Sequence, residues 1–415
     1  MLRSNSDANE RCNSDWPLRR SLKILHVGIA YEPARNYGGP IRSLKALCEG
    51  LNLLGHACTV CVTDSDGKSN IQVDTNQPIV KKEATVRYFR SPKWLYYGYS
   101  PDMQAWLRAH VTDFDVVHVS GVWSFPERYA SKAARQNKIP YIISPRGSFD
   151  VNLVRRRLML SKFTYTHLVA RKTFTGAAAI HYTTESEARK SILRRLCRKS
   201  FVVPNASTFL SDGTADQAGS ANQPVGKPYV LFVGRLTWKK QLNKLIEAFA
   251  ILSSRYDEYH LVLVGPDDEG VGKSLRRIAE KSGVSKRVAY LGPKFGDELL
   301  DLYRSAAVFI LPSISENFGH SAVEAIGLGT PAILSSSLDL LDFEAIQSIV
   351  ATCDSTATSI SDAIESVLGN LVFWKAQANR GASRVRELFD VKSVASKMEA
   401  EYLGCLTKTT GRLGR

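Results

Sequence analysis

The chain has 415 residues, 44% of them hydrophobic and 23% charged, and a formal net charge of +15 at pH 7. This length exceeds one ordinary hydrophobic core and predicts two domains of roughly 150–200 residues, in a composition typical of globular proteins. No apolar run reaches the roughly 18–20 residues of a membrane-spanning helix, and the first twenty residues lack the apolar segment of a secretory signal, so the cytoplasm is the expected compartment.

Seven cysteines run from Cys12 to Cys405. Their odd number and scatter argue against a disulfide framework. Cys58 and Cys61 form a Cys-x-x-Cys, but within the strand-like run "HACTVCVTD" and with no second ligand pair nearby. Buried structural thiols are expected there rather than a redox or metal site.

In chain order, "SLKILHVGIAYEP" reads as a buried strand ending in a Gly/Pro-containing loop. "NYGGPIRSLKALCEGLNLLGH" follows as a glycine loop and an amphipathic helix with Leu44, Leu47, Leu51 and Leu54 on one face, and "ACTVCVTD" is the next strand. Strand, glycine loop, helix and strand begin a parallel sheet covered by helices. In "TDSDG", Asp64 and Asp66 have no partner ligands and are read as a turn. The alternation continues through "DVVHVSGVW", "PYIISPRG", "AAAIHYTT" and "SFVVPN". The run "STFLSDGTADQAGSANQPVGKP" then has no apolar period and reads as a linker.

A second series repeats the plan with "YVLFVGRL", "HLVLVGP", "VAYLGP", "AAVFILPS", "TPAILSS" and "SIVAT". These runs are continuously apolar, as when both faces of a parallel sheet are covered. "GPDDEG" is another acidic turn, and "FDVKSVASKMEAEYLGCL" a final helix. Ligands of open α/β sheets bind outside the carboxyl ends of strands, so the site is expected between the domains.

Two strand ends of the second series carry chemistry. "AAVFILPS" leads into the loop holding Glu316, and a helix beginning near His320 carries Glu324 about one turn in. Phe318, Gly319 and His320 mark that helix start, whose unpaired N–H groups suit a phosphate, with Gly319 allowing close approach. Arg235 leaves the end of "YVLFV" and Lys240 follows five residues later; two cations at such a turn can clamp a diphosphate.

With "GRLTWKK", "LVGPDDEG", the run from "LGPKFGDELL" to "GTPAIL", and the first-domain "YGGPIRSL", the chain resembles the retaining glycosyltransferases of family 4. "SPRGSF" resembles a branch found in bacterial polysaccharide and lipopolysaccharide assembly. The resemblance implies an α/β GT-B fold: two Rossmann-like parallel-sheet domains, an interdomain cleft and a C-terminal helix. The expected division is a flexible tail (1–20), an N-terminal acceptor domain (21–207), a linker (208–228), a C-terminal nucleotide-sugar-binding domain (229–389), and a C-terminal helix and tail (390–415).

Carried over position by position, it implies that Glu324 binds the donor ribose and Glu316 the donor sugar. Arg235 and Lys240 would hold the diphosphate, with Phe318, Gly319 and His320 beside it. Gly38 and Gly39 would admit the first-domain loop, and Pro293 and Lys294 would meet the base. His118 joins Glu316, Arg235 and Lys240 in the expected catalytic set, with a satisfied core histidine as the alternative. Ser120 stands where the family often has a second histidine, and Gln241 where a glycine commonly follows the diphosphate lysine. Arg146, at a strand end on the same edge, could meet an acceptor phosphate; His181 and Glu185 share that edge or serve helix capping. No cofactor and no metal are expected, because the cations and helix N–H groups do a metal's work.

The partners implied are a nucleotide-sugar donor and a glycan or lipid-linked acceptor, with no nucleic acid. Between Ala134 and Ser200, fifteen basic residues face three acidic ones. A solvated basic face explains this, and so does a surface for an anionic membrane, with "LVRRRLMLSKFTYTHLVARK" as the docking helix on the inner face of the plasma membrane. The competing reading is a basic nucleic-acid- or membrane-binding protein without catalysis. It explains the charge but leaves the second-domain residues unexplained.

Overall fold

The computed structural model describes residues 20–67, 69–92, 97–149, 171–197, 199–208 and 226–410. The expected tail before Arg20, most of the linker and most of the expected docking helix lie outside the described residues.

The first sheet is built from β1 (Lys23–Val27), β2 (Ala57–Thr63), β5 (Ile79–Val80), β6 (Thr85–Phe89), β7 (Val116–Ser120), β8 (Tyr141–Ser144), β9 (Ala179–Tyr182) and β10 (Ser200–Val202). Its order is β10-β9-β8-β7-β1-β2-β6-β5. All neighbours are parallel except the edge strand β5. A small ribbon, β3 (Ser65–Asp66) with β4 (Ser69–Asn70), stands apart.

The second sheet contains β11 (Tyr229–Val233), β12 (His260–Val264), β13 (Val288–Gly292), β14 (Val308–Leu311), β15 (Ala332–Ser335) and β16 (Ala351–Cys353). It is wholly parallel, in the order β13-β12-β11-β14-β15-β16. The continuous apolar runs of β11, β14 and β15 are buried at every position, because helices cover both faces. The strand order of each sheet reverses beside its first strand, at β1/β7 and at β11/β14, and loops leaving such a switch point diverge to open a crevice.

The C-terminal helix, Val391–Thr410, leaves the second core at Phe389 and buries Val394, Ala395, Met398 and Tyr402 in the first. It crosses the glycine-loop helix, Gly39–Leu53, at Gly50, where an added Cβ would stand 2.1 Å from the Val391 carbonyl oxygen and 2.7 Å from the Ala395 Cβ. Only a glycine admits backbone at that distance.

Strand register resolves the Cys-x-x-Cys. Cys58 pairs with Ile24 and Cys61 with Val27, so the two thiols face opposite sides of the sheet and enter different cores. The acidic turns have structural work. Asp66 accepts from the Arg35 and Asn36 amides at 3.1 and 2.7 Å, holding the start of the glycine loop. Asp267 accepts from the Val271 and Gly272 amides at the start of the helix Gly272–Lys281.

Candidate active site

A cavity of about 550 Å³ lies between the two sheets, walled by both domains. Each wall follows from a strand end. β11 stops at Gly234, and Arg235 turns across the cleft to donate from Nη1 to the Asn36 carbonyl at 2.8 Å. Its guanidinium lies against the glycine loop: a Cβ on Gly38 would sit 3.9 Å from Nη2, and one on Gly39 3.1 Å from the His320 ring. Gly38, at φ +61° and ψ −123°, has a backbone that side-chain-bearing residues avoid.

Lys240 ends the short 3-10 turn Trp238–Lys240, and its ammonium is paired with the Glu316 carboxylate. The next residue, Gln241, has φ +53° and ψ +35°. That left-handed conformation is the physical reason a glycine suits the position.

β14 delivers the loop with Glu316, and the helix His320–Gly327 starts where expected. Its N-cap, Gly319, is left-handed at φ +74° and gives no side-chain cap to the first amides of the helix, and Gly319, His320 and Ser321 line the cavity. Phe318 is buried and packs edge-on against His320 and Phe389. His320 Nε2 lies 2.7 Å from the Ser43 hydroxyl of the first domain. Burial, with Arg42 and Arg146 nearby, holds the His320 pKa well below the usual histidine value, so the ring is neutral.

From the first domain Arg146 reaches the same cavity, at a φ of +52°. It donates to the Asn205 side chain, while its buried Nε has no hydrogen-bond partner among the described residues. Glu187 accepts from the Gly147 amide next to it at 2.7 Å.

Four expected site residues are not on the cavity wall. Glu324 is 2% exposed, and its carboxylate accepts from Arg42 at 2.5 Å and from the Tyr303 hydroxyl at 3.0 Å. Burial raises its pKa and the Arg42 guanidinium opposes that rise. His118 is corrected from cleft to core. It sits mid-strand in β7, fully buried, with Nδ1 2.6 Å from the Tyr402 hydroxyl and Nε2 2.6 Å from the Ser144 hydroxyl. Burial holds its pKa well down. Ser120 ends β7, half-buried beside Gly28. Lys294 is turned to Glu298, one helical turn on. His181 is also a core residue, bound to Ser144 and to the Val203 carbonyl, its pKa pushed down to about 3 by burial and by Arg146. Glu185 is exposed at the start of the short helix Glu185–Lys190, which Thr184 caps.

Arg42, Ser43, Lys190 and Asn317 line the cavity without being singled out by sequence. Arg42 lies three residues after Gly39, one turn into the glycine-loop helix, which was its available signal. The others are set by contacts across the cleft. Asn317 donates to the Thr183 hydroxyl at 3.1 Å, and Lys190 pairs with Asp339 at 2.5 Å. The two domains are thus bridged, and the cavity is partly closed to water.

The family model "Glycosyl transferase 4-like domain" matches residues 38–206, and "Glycosyl transferases group 1" matches 215–379. The chain belongs to the group 1/4 glycosyltransferases. Among curated relatives of this glycosyltransferase-family chain, an uncharacterised glycosyltransferase of Methanocaldococcus jannaschii is 39% identical over 113 residues, 27% of this chain and 28% of that protein. A D-inositol 3-phosphate glycosyltransferase of Corynebacterium urealyticum is 34% identical over 146 residues, 33% of this chain and 34% of that protein. The chain therefore spans about a third of the length of these relatives.

Solved structures resemble it over nearly the whole length. A sucrose-phosphate synthase from Thermosynechococcus elongatus superposes with a TM-score of 0.72 at 19% identity, over 94% of this chain and 100% of that one. Anabaena HepE, in complex with UDP and glucose, gives 0.68 at 16% identity, over 92% and 99%. At such identities the likeness establishes the fold, which is GT-B. Among the described residues no helix is long and apolar enough to cross a membrane.

Proposed function

We propose that this chain transfers a sugar, with retention of anomeric configuration, from a nucleotide-sugar donor to a negatively charged acceptor. The observation that carries the reading is that Arg235, Lys240, Glu316 and the uncapped first turn of His320–Gly327 line one interdomain cavity. Each answers a need of the reaction. The cations and amides stabilise the charge that gathers on the leaving diphosphate, at fixed positions in the cleft. Glu316 accepts hydrogen bonds from sugar hydroxyls once the donor draws Lys240 toward its phosphates.

In the step, the bond from the anomeric carbon to the β-phosphate oxygen breaks and the acceptor oxygen bonds to that carbon on the same face. The acceptor proton passes to the departing phosphate. No protein nucleophile is needed in this route, and no metal is invoked. Glu324 reaches a donor ribose when the Arg42 bridge opens, so donor binding is coupled to movement of the first domain.

The acceptor half of the reading rests on Arg146 and Lys190, two cations of the first domain on the cavity wall, Lys190 being paired with Asp339. D-inositol 3-phosphate and sucrose-phosphate occur in the names of similar proteins, and a phosphorylated acceptor suits these residues here. The "SPRGSF" resemblance favours a lipid-linked glycan diphosphate, hence a place in cell-surface polysaccharide or lipopolysaccharide assembly at the inner membrane face.

A donor-hydrolysis screen over UDP-, GDP- and ADP-sugars tests the first half. One donor should be consumed, more slowly by Glu316→Gln, and Lys240→Ala, which removes a donor to the leaving diphosphate, should cost about 2.7–4 kcal/mol of barrier, or roughly 10²–10³ in rate, by analogy with loss of an oxyanion donor. Binding of an oligonucleotide with no nucleotide-sugar binding would restore the noncatalytic reading.

A further inference from the structure

The first domain holds a second cluster of reactive side chains, away from the cleft. His26 on β1, Cys58 on β2 and Cys48 on the glycine-loop helix offer ligand atoms that all lie within 4.8 Å of one another. Register brings them together: Cys58 pairs with Ile24, so His26, two residues further along β1, faces the same side of the sheet, and the helix lays Cys48 over that side. His26 and Cys48 are fully buried and Cys58 is 5% exposed. None of the three lines the interdomain cavity.

His26 is the anomaly. Both of its ring nitrogens are buried and, among the described residues, neither has a hydrogen-bond partner beyond the neighbouring Cys58 thiol, although an imidazole carries a donor and an acceptor that burial normally obliges to be paired. The neighbouring His118 ring, 5.4 Å away between centroids, cannot serve, because its two nitrogens are taken by Tyr402 and Ser144.

We propose that His26, Cys48 and Cys58 bind one thiophilic divalent cation, Zn²⁺ by its chemistry. Two thiolates and an imidazole are soft and borderline donors that suit Zn²⁺ and disfavour Mg²⁺ or Ca²⁺. Two thiolates and a neutral ring around a dication make a site with no net charge, which limits the cost of burying it. Zinc bonds of about 2.3 Å to sulfur and about 2.0 Å to nitrogen need only a modest contraction of the cluster. Three protein ligands with a small fourth ligand is a set zinc accepts. Binding releases the two thiol protons to solvent.

The consequence is mechanical. The cation staples β1 and β2 to the helix whose first turn carries Gly39, Arg42 and Ser43 into the cleft, and so positions those residues without touching substrate.

The test uses the full chain, purified under reductant, stripped of metal and titrated with Zn²⁺ alone, then with Co²⁺ as an optical probe. One equivalent per chain is expected, with thiolate-to-cobalt charge-transfer absorption and a rise in melting temperature on Zn²⁺ addition. Cys48→Ser and Cys58→Ser should each abolish the absorption and the rise, whereas Cys61→Ser, on the opposite face of the same strand, should keep both. X-ray absorption of the zinc-loaded wild type reads the ligands without any variant, and a first shell with two sulfurs is expected. Failure of the wild type to take up one equivalent, a first shell without sulfur, or equal uptake by Cys58→Ser would overturn the site. A Cys48–Cys58 disulfide whose reduction brings no zinc uptake would overturn it too.

Discussion

At the scale of single residues, the ion pairs that bridge the two domains leave the cation more exposed than its carboxylate. Glu324 illustrates this: its carboxylate is buried while Arg42, from the other domain, is 44% exposed at the side chain. Removing the arginine leaves a buried acid with, among the described residues, only the Tyr303 hydroxyl. Arg42→Ala should therefore cost about 1–3 kcal/mol of stability, measured by denaturant unfolding, and Arg42→Lys should recover part of it. Gln241 pays a different cost, since a residue with a Cβ in the left-handed region loses roughly 1–2 kcal/mol. Gln241→Gly should raise stability by up to about 1 kcal/mol, part of the strain relief being offset by the entropy glycine gains on unfolding. A lower melting temperature for that variant would mean the glutamine side chain, which donates to the Trp238 carbonyl at 3.0 Å, matters more than the strain.

At the scale of elements, the helix Phe125–Gln136 is started by a capping box in which Ser124 and Glu127 satisfy each other's ends. Glu127 is 4% exposed, and burial pushes its carboxyl pKa up to about 7 against the help of the Ser124 hydrogen bonds. A folded-state pKa above the unfolded one means the folded chain holds the extra proton. The contribution is then complete below about pH 4.5 and is lost as pH rises through about 7, at about 1.4 kcal/mol per pH unit at most. Thermal melts from pH 5 to 8 should fall more steeply for the wild type than for Glu127→Gln, which keeps the cap and carries no titrating proton. Parallel slopes would refute it. The helix His320–Gly327 is the opposite case, starting on a glycine that gives no side-chain cap.

At the scale of the whole molecule, the C-terminal helix belongs by sequence to the second half and by packing to the first. Its crossing at Gly50 allows no Cβ, because the nearest atom would be backbone rather than a flexible side-chain end. Gly50→Ala should cost about 1–3 kcal/mol or more and loosen Val391–Thr410 selectively, read as faster amide exchange there than in the second sheet. The bridges of Arg42, Lys190 and Arg189 to Glu324, Asp339 and Asp342 hold the two domains together across the cleft.

What the sequence by itself determined was local. Buried strands declare themselves as apolar runs because covered parallel sheets leave no polar face, and loops at their ends announced Glu316, Arg235 and Gly319 within a few residues of each strand. The strand Thr85–Phe89 escaped because Arg87 interrupts its apolar run, and the helix Leu371–Leu388 because it buries only Ala378, Gly381, Ala382 and Val385. Only the tertiary structure decided which strand-end residues share a cavity and which turn inward. His118 and Glu324 look like cleft residues along the chain, yet their partners, Tyr402 and Arg42, are 284 and 282 residues away. Whether a polar side chain is buried against a partner or open to a ligand depends on which distant element covers it. That covering is set by packing between elements, and neither spacing nor local pattern records it.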